Sequence, residues 1–340
     1  MNICVLLTSV GGLVSAGIID NLRKIPEVSK IIGTDTLSDA IGFYMVDKGY
    51  VVPNGESPEY ISVLTNIIEK ENVDVVIPCS DEEVLALSKY KEFFRAKNVA
   101  IICSSYAITS VAIDKGRMLT FLQGQGVQVP KFYLPLTTDE LIQAATELGY
   151  PTKAVVVKPR RGRGGRGFRI LKEAVDVLST RDSHEMKLEW FVDAIHLQDH
   201  LDVVLMEYLP GEDYSVDVLA DNGRILFIVP RKRIKIILGP SRVGEVFWDK
   251  EIVNIVELIV DKFKFNSNVN IQLKCSIYPD KNPMIYEINP RISGTIVASA
   301  AAGIDLLHYG IRHAFGLDLP LSTLPRPIKM IRYIKEYFVD

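Results

Sequence analysis

The sequence predicts an α/β domain followed by an α+β region, and three observations support this fold class. The 340 residues are 48% apolar, 9% aromatic and 24% charged, a globular composition sufficient for two or three domains at roughly 100–200 residues each. Short β-branched runs alternate with helical patterns up to about residue 103, as in a parallel sheet covered by helices. Beyond Pro151, strand-like segments follow one another closely, which is typical of antiparallel sheet.

The first region begins with a strand and a glycine turn. Its predicted elements are strand Ile3–Leu7, helix Leu13–Lys24, strand Lys30–Gly33, helix Tyr60–Glu71, strand Val73–Pro78, helix Glu82–Arg95 and strand Ala100–Cys103. Gly11 and Gly12 open a helix whose free N–H groups favour an anion, and Asp35 closes the second strand, so these positions are Rossmann-like. Because G-x-G-x-x-G is absent, a tight turn without a ligand is at least as strong an interpretation.

The second region starts with a connecting helix around residues 114–124. A strand at Phe132–Leu134 and a helix at Thr138–Leu148 follow, and Thr137 with Glu140 suits a capped helix start. The later predicted strands are Ala154–Lys158, Gly167–Leu171, Val203–Tyr208, Tyr214–Ala220, Ile225–Arg233, Val269–Tyr278 and Met284–Asn289.

Charge and cysteine usage exclude several function classes. Lys+Arg 39 against Asp+Glu 42 gives a net charge of -3, which leaves no excess positive charge for broad nucleic-acid binding. The apolar runs are shorter than the roughly 18–20 residues that span a bilayer, and no secretory signal follows Met1. We therefore expect a cytoplasmic protein without membrane or nucleic-acid partners. Cys4, Cys79, Cys103 and Cys275 stand singly in apolar stretches, which favours buried, reduced thiols over zinc or disulfides.

The strongest chemical signal begins at Lys158, the first residue of Lys158-Pro-Arg-Arg-Gly-Arg-Gly-Gly-Arg-Gly167. A lysine at a strand end and a glycine-rich loop suit a phosphate chain, because glycines let backbone N–H groups approach oxygens closely. A second strand follows the loop, so the pattern predicts a hairpin lid and not a P-loop. An exposed basic hairpin without a ligand is the alternative.

A second signal is Glu287-Ile-Asn-Pro-Arg291. Alternation on a strand places Glu287, Asn289 and Arg291 on one face. A carboxylate and an amide oxygen two residues apart suit Mg²⁺ bound together with substrate phosphates, and the arginine suits a phosphate or a developing oxyanion. Gln272 lies on the preceding apolar strand, which we expect to pair with this one. A solvated strand face is the alternative.

A third signal is the stretch from Val204 to Asp217, an apolar strand, a Pro-Gly turn and an acidic strand. Apolar residues there would sandwich an adenine, the backbone at the turn would bind its edge, and Asp213 would accept from ribose hydroxyls.

In this order and spacing, the segments resemble the ATP-grasp superfamily, particularly one synthetase unit of the carbamoyl phosphate synthase large chain and its stand-alone relatives. The resemblance implies a Rossmann-like pre-ATP-grasp domain at residues 1–112, a connecting helix and lid-bearing subdomain at 113–200, and a C-terminal subdomain with the metal and nucleotide site at 201–340. It implies these roles: phosphate binding by Lys115, Lys158, Gly164 and Gly165, adenine binding at Glu207 and Leu209, ribose binding by Asp213, Mg²⁺ binding by Gln272, Glu287 and Asn289, and catalysis by Lys158 and Arg291.

The resemblance also implies a reaction. ATP and Mg²⁺, or Mn²⁺ in its place, would activate a small-molecule carboxylate as an acyl phosphate, which an amine or ammonia then attacks, and relatives are often homodimers. No nucleophilic side chain is needed, which agrees with the absence of a G-x-S-x-G elbow. The chain has the length of one synthetase unit, so partial carbamoyl-phosphate-synthase-like activity is an alternative. A non-catalytic ATP-binding protein and a nicotinamide-dependent oxidoreductase are the others.

Arginines supply candidate substrate contacts. The lid arginines suggest an additional anionic group on the substrate, or an exposed basic loop. Arg231, Arg233 and Arg242 occupy the stretch that lines the acceptor pocket in relatives, so they are candidates to clamp the carboxylate, with surface ion pairs as the alternative. Gly11 and Gly12 are further candidates.

Overall fold

The computed structural model describes residues 1–162, 165–175, 184–195, 200–236, 239–276 and 282–338. The chain forms two compact units. Unit 1 comprises Met1–Ala112, Tyr214–Gln272 and Ile288–Asp340, and unit 2 comprises Ile113–Asp213 and Leu273–Glu287. The division into three domains stays a prediction, since the predicted C-terminal domain contributes residues to both units.

Unit 1 begins with a parallel sheet. Its strands are β1 (Ile3–Leu7), β2 (Val28–Asp35), β3 (Lys48–Val51), β4 (Val75–Ile77) and β5 (Ala100–Ile101), in the order β3-β2-β1-β4-β5. The connecting helices are α1 (Ser15–Leu22), α2 (Tyr60–Glu71), α3 (Asp81–Lys89), α4 (Lys91–Ala96) and α5 (Tyr106–Ala112). Every residue of β1 is buried, as expected for a central parallel strand. The predicted parallel sheet is confirmed; β3 was not predicted, because this edge strand is short and partly exposed.

Unit 2 contains a mixed sheet with helices α6 (Lys115–Gly124), α7 (Thr138–Glu147) and α8 (Leu188–Ile195). Its strands are β6 (Phe132–Tyr133), β7 (Val155–Pro159), β8 (Arg169–Leu171), β9 (Glu185–Met186) and β10 (Val203–Glu207), in the order β6-β10-β7-β8-β9. Strand β7 pairs antiparallel with β8, Val155 opposite Leu171, so the glycine-rich loop connects two hairpin strands as predicted. The core of the unit includes Leu141, Val157 and Leu205.

A six-stranded sheet carries the C-terminal half. Its strands are β11 (Asp213–Asp221), β12 (Arg224–Ile236), β13 (Ser241–Val246), β14 (Ser267–Cys275), β15 (Pro283–Asn289) and β16 (Ile328–Ile331), in the order β15-β14-β11-β12-β13-β16. The helices are α9 (Lys250–Phe263), α10 (Val297–Ala301) and α11 (Leu306–Ala314). Strands β14 and β15 are neighbours, which confirms their predicted pairing. Strands β13 and β16, and β9 in the sheet of unit 2, were not predicted.

Helix starts follow local capping chemistry. The Thr137 hydroxyl accepts from the Glu140 amide at 3.2 Å, and the Glu140 carboxylate accepts from the Leu136 amide at 2.7 Å, so the predicted cap of α7 is present. The Asp249 carboxylate likewise accepts from the Glu251 amide at 2.8 Å, which fixes the start of α9. No helix in the described ranges is both long and apolar enough to cross a bilayer.

A buried carboxylate joins α2 to the edge of the parallel sheet. The Glu71 side chain is 5% exposed and accepts from Lys30 at 2.7 Å, Lys48 at 2.8 Å and the Tyr50 hydroxyl. These hydrogen bonds, that of Lys30 first, lower the pKa of Glu71 to about 2. The ionised form is therefore favoured in the folded state.

This network predicts acid sensitivity. Because the folded-state pKa lies below the unfolded value of about 4.3, the Glu71 contribution is present above pH ~4.3 and is lost as the pH falls towards about 2. We expect Glu71→Gln to lower stability at pH 7, and the difference from wild type to shrink between pH ~5 and ~2. Denaturant titrations across this range measure it. Glu69→Gln, on the exposed face of α2, is the control, and a pH-independent difference would contradict the prediction.

Candidate nucleotide and metal site

Lys158 lies near the end of β7, where the glycine-rich loop begins. The residue is 9% exposed, and its Nζ lies 4.3 Å from the centroid of the Tyr286 ring and 5.6 Å from that of Phe168. Burial lowers the pKa of Lys158 to about 8, and the charge of Glu287 opposes part of this shift. The ammonium is thus a partly desolvated cation, which binds an anion more strongly than an exposed lysine does.

Lys115 is a second cation in this part of unit 2. Its Nζ lies 4.0 Å from Glu287 Oε1 and donates to the Gly162 carbonyl at 3.0 Å. The preceding residue, Asp114, caps α6 and accepts from Arg160 at 2.8 Å. These contacts attach the start of α6 to the loop after β7, and they place two lysines and one carboxylate together in unit 2.

Asp213 and Glu207 have protein partners at the edge of the same unit. The Tyr286 hydroxyl donates to Asp213 Oδ1 at 3.0 Å, so one tyrosine contacts both Lys158 and Asp213. Glu207 Oε1 accepts from the Lys131 amide at 2.7 Å, and Leu209 is buried. Their roles at ribose and adenine stay predictions.

Two glycines in the turn at the end of the glycine-rich loop have a positive φ, +72° at Gly165 and +73° at Gly167. A Cβ on Gly167 would lie 2.6 Å from Pro159 Cγ, so only glycine allows the hairpin to close there. Gly164 and Arg163 lie outside the described residues. Arg161 is described; its side chain is 61% exposed and lies 3.8 Å from Asp114.

Amide and guanidinium side chains form a hydrogen-bonded polar chain within unit 1. Arg291 Nε donates to Asp81 at 2.8 Å and Nη2 donates to Asn289 Oδ1 at 3.1 Å. Gln272 Oε1 accepts from Arg233 Nη1 at 3.0 Å. Both amide oxygens therefore face cations, although each carbonyl oxygen has a second lone pair that can bind a metal.

Asn270 lies at the centre of this chain and is 1% exposed. Its Oδ1 accepts from Gln272 and from Asn289, each at 3.4 Å, and its Nδ2 donates to Asp217 at 2.8 Å. The two predicted metal-binding amides in unit 1 are thus oriented by one buried asparagine.

The three predicted substrate arginines have different surroundings. Arg231 is 2% exposed, pairs with Asp217, and donates to Thr295 Oγ1 at 2.6 Å. Arg233 donates to Gln272 and to the Ser241 hydroxyl, whereas Arg242 is half-buried in β13. Carboxylate binding by these three residues stays a prediction.

The amides of the Gly11-Gly12 turn donate hydrogen bonds to acceptors in the same domain. The Gly11 amide donates to Asp35 Oδ2 at 2.7 Å, and a Cβ on Gly11 would lie 3.0 Å from that oxygen. The Gly12 amide donates to the Ser9 carbonyl at 3.2 Å. Both amides therefore have protein acceptors, which favours the turn interpretation over a dinucleotide contact.

Three residues beside the predicted site were missed by sequence reasoning. Alternation assigns Tyr286 to the face opposite Glu287, so periodicity gave no reason to place it near Lys158. Asn270 lies in the predicted strand Val269–Tyr278, where an amide two residues before Gln272 on an apolar strand was a usable signal. Arg332 follows an unpredicted edge strand, and the sequence held no signal for it. All four cysteines are free, and three of them are buried, as predicted; Cys79 is half-buried.

Two family models match the chain. One, described as ATP-grasp in the biosynthetic pathway with Ter operon, matches residues 199–336, and the other, described as PylC-like, N-terminal domain, matches residues 5–102. A curated relative, the carbamoyl phosphate synthase arginine-specific large chain of Halalkalibacterium halodurans, is 25% identical over 276 residues, covering 76% of this chain and 24% of that protein. The chain thus spans about a quarter of the length of the curated relatives it matches.

Solved structures share the fold. N5-carboxyaminoimidazole synthetase from Staphylococcus aureus complexed with ADP has a TM-score of 0.71 at 16% identity, covering 98% of this chain and 82% of that chain. The biotin carboxylase domain dimer of Hydrogenobacter thermophilus 2-oxoglutarate carboxylase, in complex with MgADP and bicarbonate, has a TM-score of 0.70 at 17% identity, covering 95% and 72%. At these identities the likeness concerns the fold.

Proposed function

This chain is an ATP-grasp protein with a PylC-like N-terminal domain, and on that premise we propose that it is an ATP- and Mg²⁺-dependent ligase. It would transfer the γ-phosphoryl group of ATP to a small-molecule carboxylate, releasing ADP. An amine or ammonia would then attack the acyl phosphate, forming the C–N bond and releasing phosphate.

The observation that carries this proposal is the buried cationic cluster of unit 2. Lys158 is almost fully buried, with Lys115 and Glu287 as charged neighbours. A buried ammonium is costly to the fold unless an anion compensates it, and ATP phosphates are such an anion. Lys158 precedes a hairpin loop whose glycine amides suit the same phosphates.

The donor set fits Mg²⁺. Glu287 and Asn289 are two residues apart on β15, and Gln272 lies on the neighbouring strand β14. One carboxylate and two amide oxygens are hard ligands of the kind this ion uses beside nucleotide phosphates and water. Mg²⁺ bound by these three residues would neutralise charge on the transferred phosphoryl group.

The protein's own residues would act by neutralising charge and by orienting the nucleotide. Lys115 and Lys158 would hold the phosphates, Asp213 would bind the ribose, and the backbone near Glu207 and Leu209 would bind adenine. Arg291, fixed by Asp81 and by Asn289, would face the transferred phosphoryl group. This division agrees with phosphoryl transfer in general, where the protein supplies orientation and electrostatic stabilisation.

A direct test is hydroxylamine trapping over a panel of carboxylates with MgATP. We expect acyl hydroxamate and ADP in equal amounts, because hydroxylamine replaces the amine in attacking the acyl phosphate. Lys158→Met should lower the rate by roughly 100-fold or more while leaving thermal stability unchanged or higher, since a buried charge is removed.

The matched control is Lys153→Met, an exposed lysine before the same strand. Reproducible formation of AMP would contradict the acyl-phosphate mechanism. Tight ATP binding without ADP formation for any acid would instead support the non-catalytic alternative.

A further inference from the structure

One face of the six-stranded sheet is rich in arginine. The register places Arg233 opposite Gly244 in β13, and Gly244 opposite Met330 in β16. Opposed residues on antiparallel strands share a face, as do residues two apart on one strand. The arginines on this face are Arg231, Arg233, Arg242 and Arg332.

Two of these arginines are held by unit 1 itself. Arg231 pairs with Asp217 inside the sheet, and Arg233 donates to Gln272 and to the Gly239 carbonyl at 2.6 Å. Their guanidinium groups contribute to the polar chain around Asn270.

The other two have no carboxylate partner among the described residues. Within the described ranges, neither Arg242 nor Arg332 forms an ion pair. Arg332 donates to the Ser241 carbonyl at 3.1 Å and to the Gly294 carbonyl at 2.8 Å, and both arginines are half-buried. Burial and the charge of Arg231 lower the pKa of Arg332. Two half-buried arginines on paired strands therefore have no carboxylate counter-ion among the described residues, which is unfavourable until an anion binds.

The two guanidinium-bearing residues are also fixed relative to each other. The Arg332 amide donates to the Arg242 carbonyl at 2.8 Å, so they face each other across the strand pair. A Cβ built on the nearby Gly244 would lie 3.2 Å from the Lys232 carbonyl oxygen and 3.9 Å from Met330 Cε. The backbone pairing thus fixes the two arginines opposite each other on neighbouring strands.

A loop connects the pair Arg242 and Arg332 to the residue proposed for phosphoryl transfer. Arg332 bonds the carbonyl of Gly294, and Arg231 donates to the neighbouring side chains of Ser293 and Thr295. This loop directly follows Arg291, the residue assigned to the phosphoryl group. An anion on Arg242 and Arg332 would therefore lie in the same unit as Arg291, and Arg332 contacts Gly294, three residues after Arg291.

We propose that Arg242 and Arg332 bind a second anionic group of the acid substrate. The substrate would then carry the carboxylate that is phosphorylated and, in addition, a carboxylate or phosphate held by this arginine pair. Guanidinium groups suit such groups because their N–H donors match two oxygens at once. This inference rests on the proposed ligase function and narrows its substrate to dianionic acids.

The test compares acids of similar size with one or two anionic groups: butyrate, succinate and 3-phosphonopropionate. ADP formation with MgATP and hydroxylamine is measured for wild type, Arg242→Gln, Arg332→Lys and the control Arg224→Gln, whose side chain is 77% exposed at the β11–β12 turn. We expect kcat/KM in the wild type to be roughly 10- to 100-fold higher for a dianionic acid than for butyrate. Succinate against 3-phosphonopropionate decides between carboxylate and phosphate.

Both site variants should remove this advantage, mainly through KM, and leave the KM for ATP unchanged. Equal kcat/KM for butyrate and the dianions, or equal losses for all acids in the variants, would overturn the assignment.

Calorimetric binding of the same three acids separates this inference from the ligase function. If no acid supports ADP formation, the ligase proposal fails. Binding of a dianion that is weakened in both variants would still support the arginine pair, and a lack of preference over butyrate would reject it.

Discussion

Glu287→Gln is expected to lower ADP-forming turnover by roughly 100- to 1,000-fold, the effect of removing one group that stabilises charge in a transition state. Glutamine keeps the size of the side chain and loses the negative charge that would bind Mg²⁺. The same charge lies beside Lys115 and opposes the lowered pKa of Lys158. ATP binding in the presence of a chelator should therefore be unchanged or tighter, while the Mg²⁺-dependent gain in affinity is lost.

The measurement is ATP affinity with and without Mg²⁺, together with turnover. Glu257→Gln, on the exposed side of α9, is the matched control and should behave as wild type. Full Mg²⁺-dependent activity in Glu287→Gln would remove this residue from the metal site.

Asp217→Asn or Arg231→Met should each destabilise the protein by about 3–5 kcal/mol. The two side chains are both 3% exposed and form an ion pair, so either substitution leaves the partner's charge buried and uncompensated. Asn270 and Ser293 also bond Asp217, so the loss extends to the polar chain that orients Gln272 and Asn289. Chemical denaturation of each variant measures the free energy of unfolding.

An exposed pair in the same sheet supplies the comparison. Arg224 and Asp221 lie 4.0 Å apart, with side chains 77% and 43% exposed, and disrupting this pair should cost less than about 1 kcal/mol. The double variant Arg231→Met/Asp217→Leu should recover part of the lost stability, because no unpaired charge remains. Additive losses in the double variant would show that the two residues act independently of each other.

Local patterns accounted for much of the fold. The β-branched run at Ile3–Leu7 is a fully buried strand, and Thr137 with Glu140 caps α7 as the sequence indicated. Strands β3, β9, β13 and β16 escaped prediction. They are short or half-exposed, so they lack the continuous apolar run or clean alternation that periodicity detects.

The residues of the candidate site were predictable where they lie close together in the sequence. Lys158 with its glycine loop, and Glu287 with Asn289 and Arg291, each carry their signal within ten residues, because one strand or hairpin presents them. Tyr286 was missed since its contacts with Lys158 and Asp213 depend on how separate strands of unit 2 pack. Strand periodicity carries no information about such contacts.

By itself, the sequence determined a near-neutral chain whose parallel α/β region precedes antiparallel sheet, and it located the residues suited to a nucleotide and a metal. Composition and periodicity are local properties, so they sufficed for that. Only the tertiary structure decided which charges are compensated. Arg231 and Arg242 look alike in sequence, yet one pairs with Asp217 inside the sheet and the other lies opposite Arg332, with no carboxylate partner in the described part of the chain. Pairing across strands far apart in the chain sets that difference, because burial and neighbouring charge depend on packing.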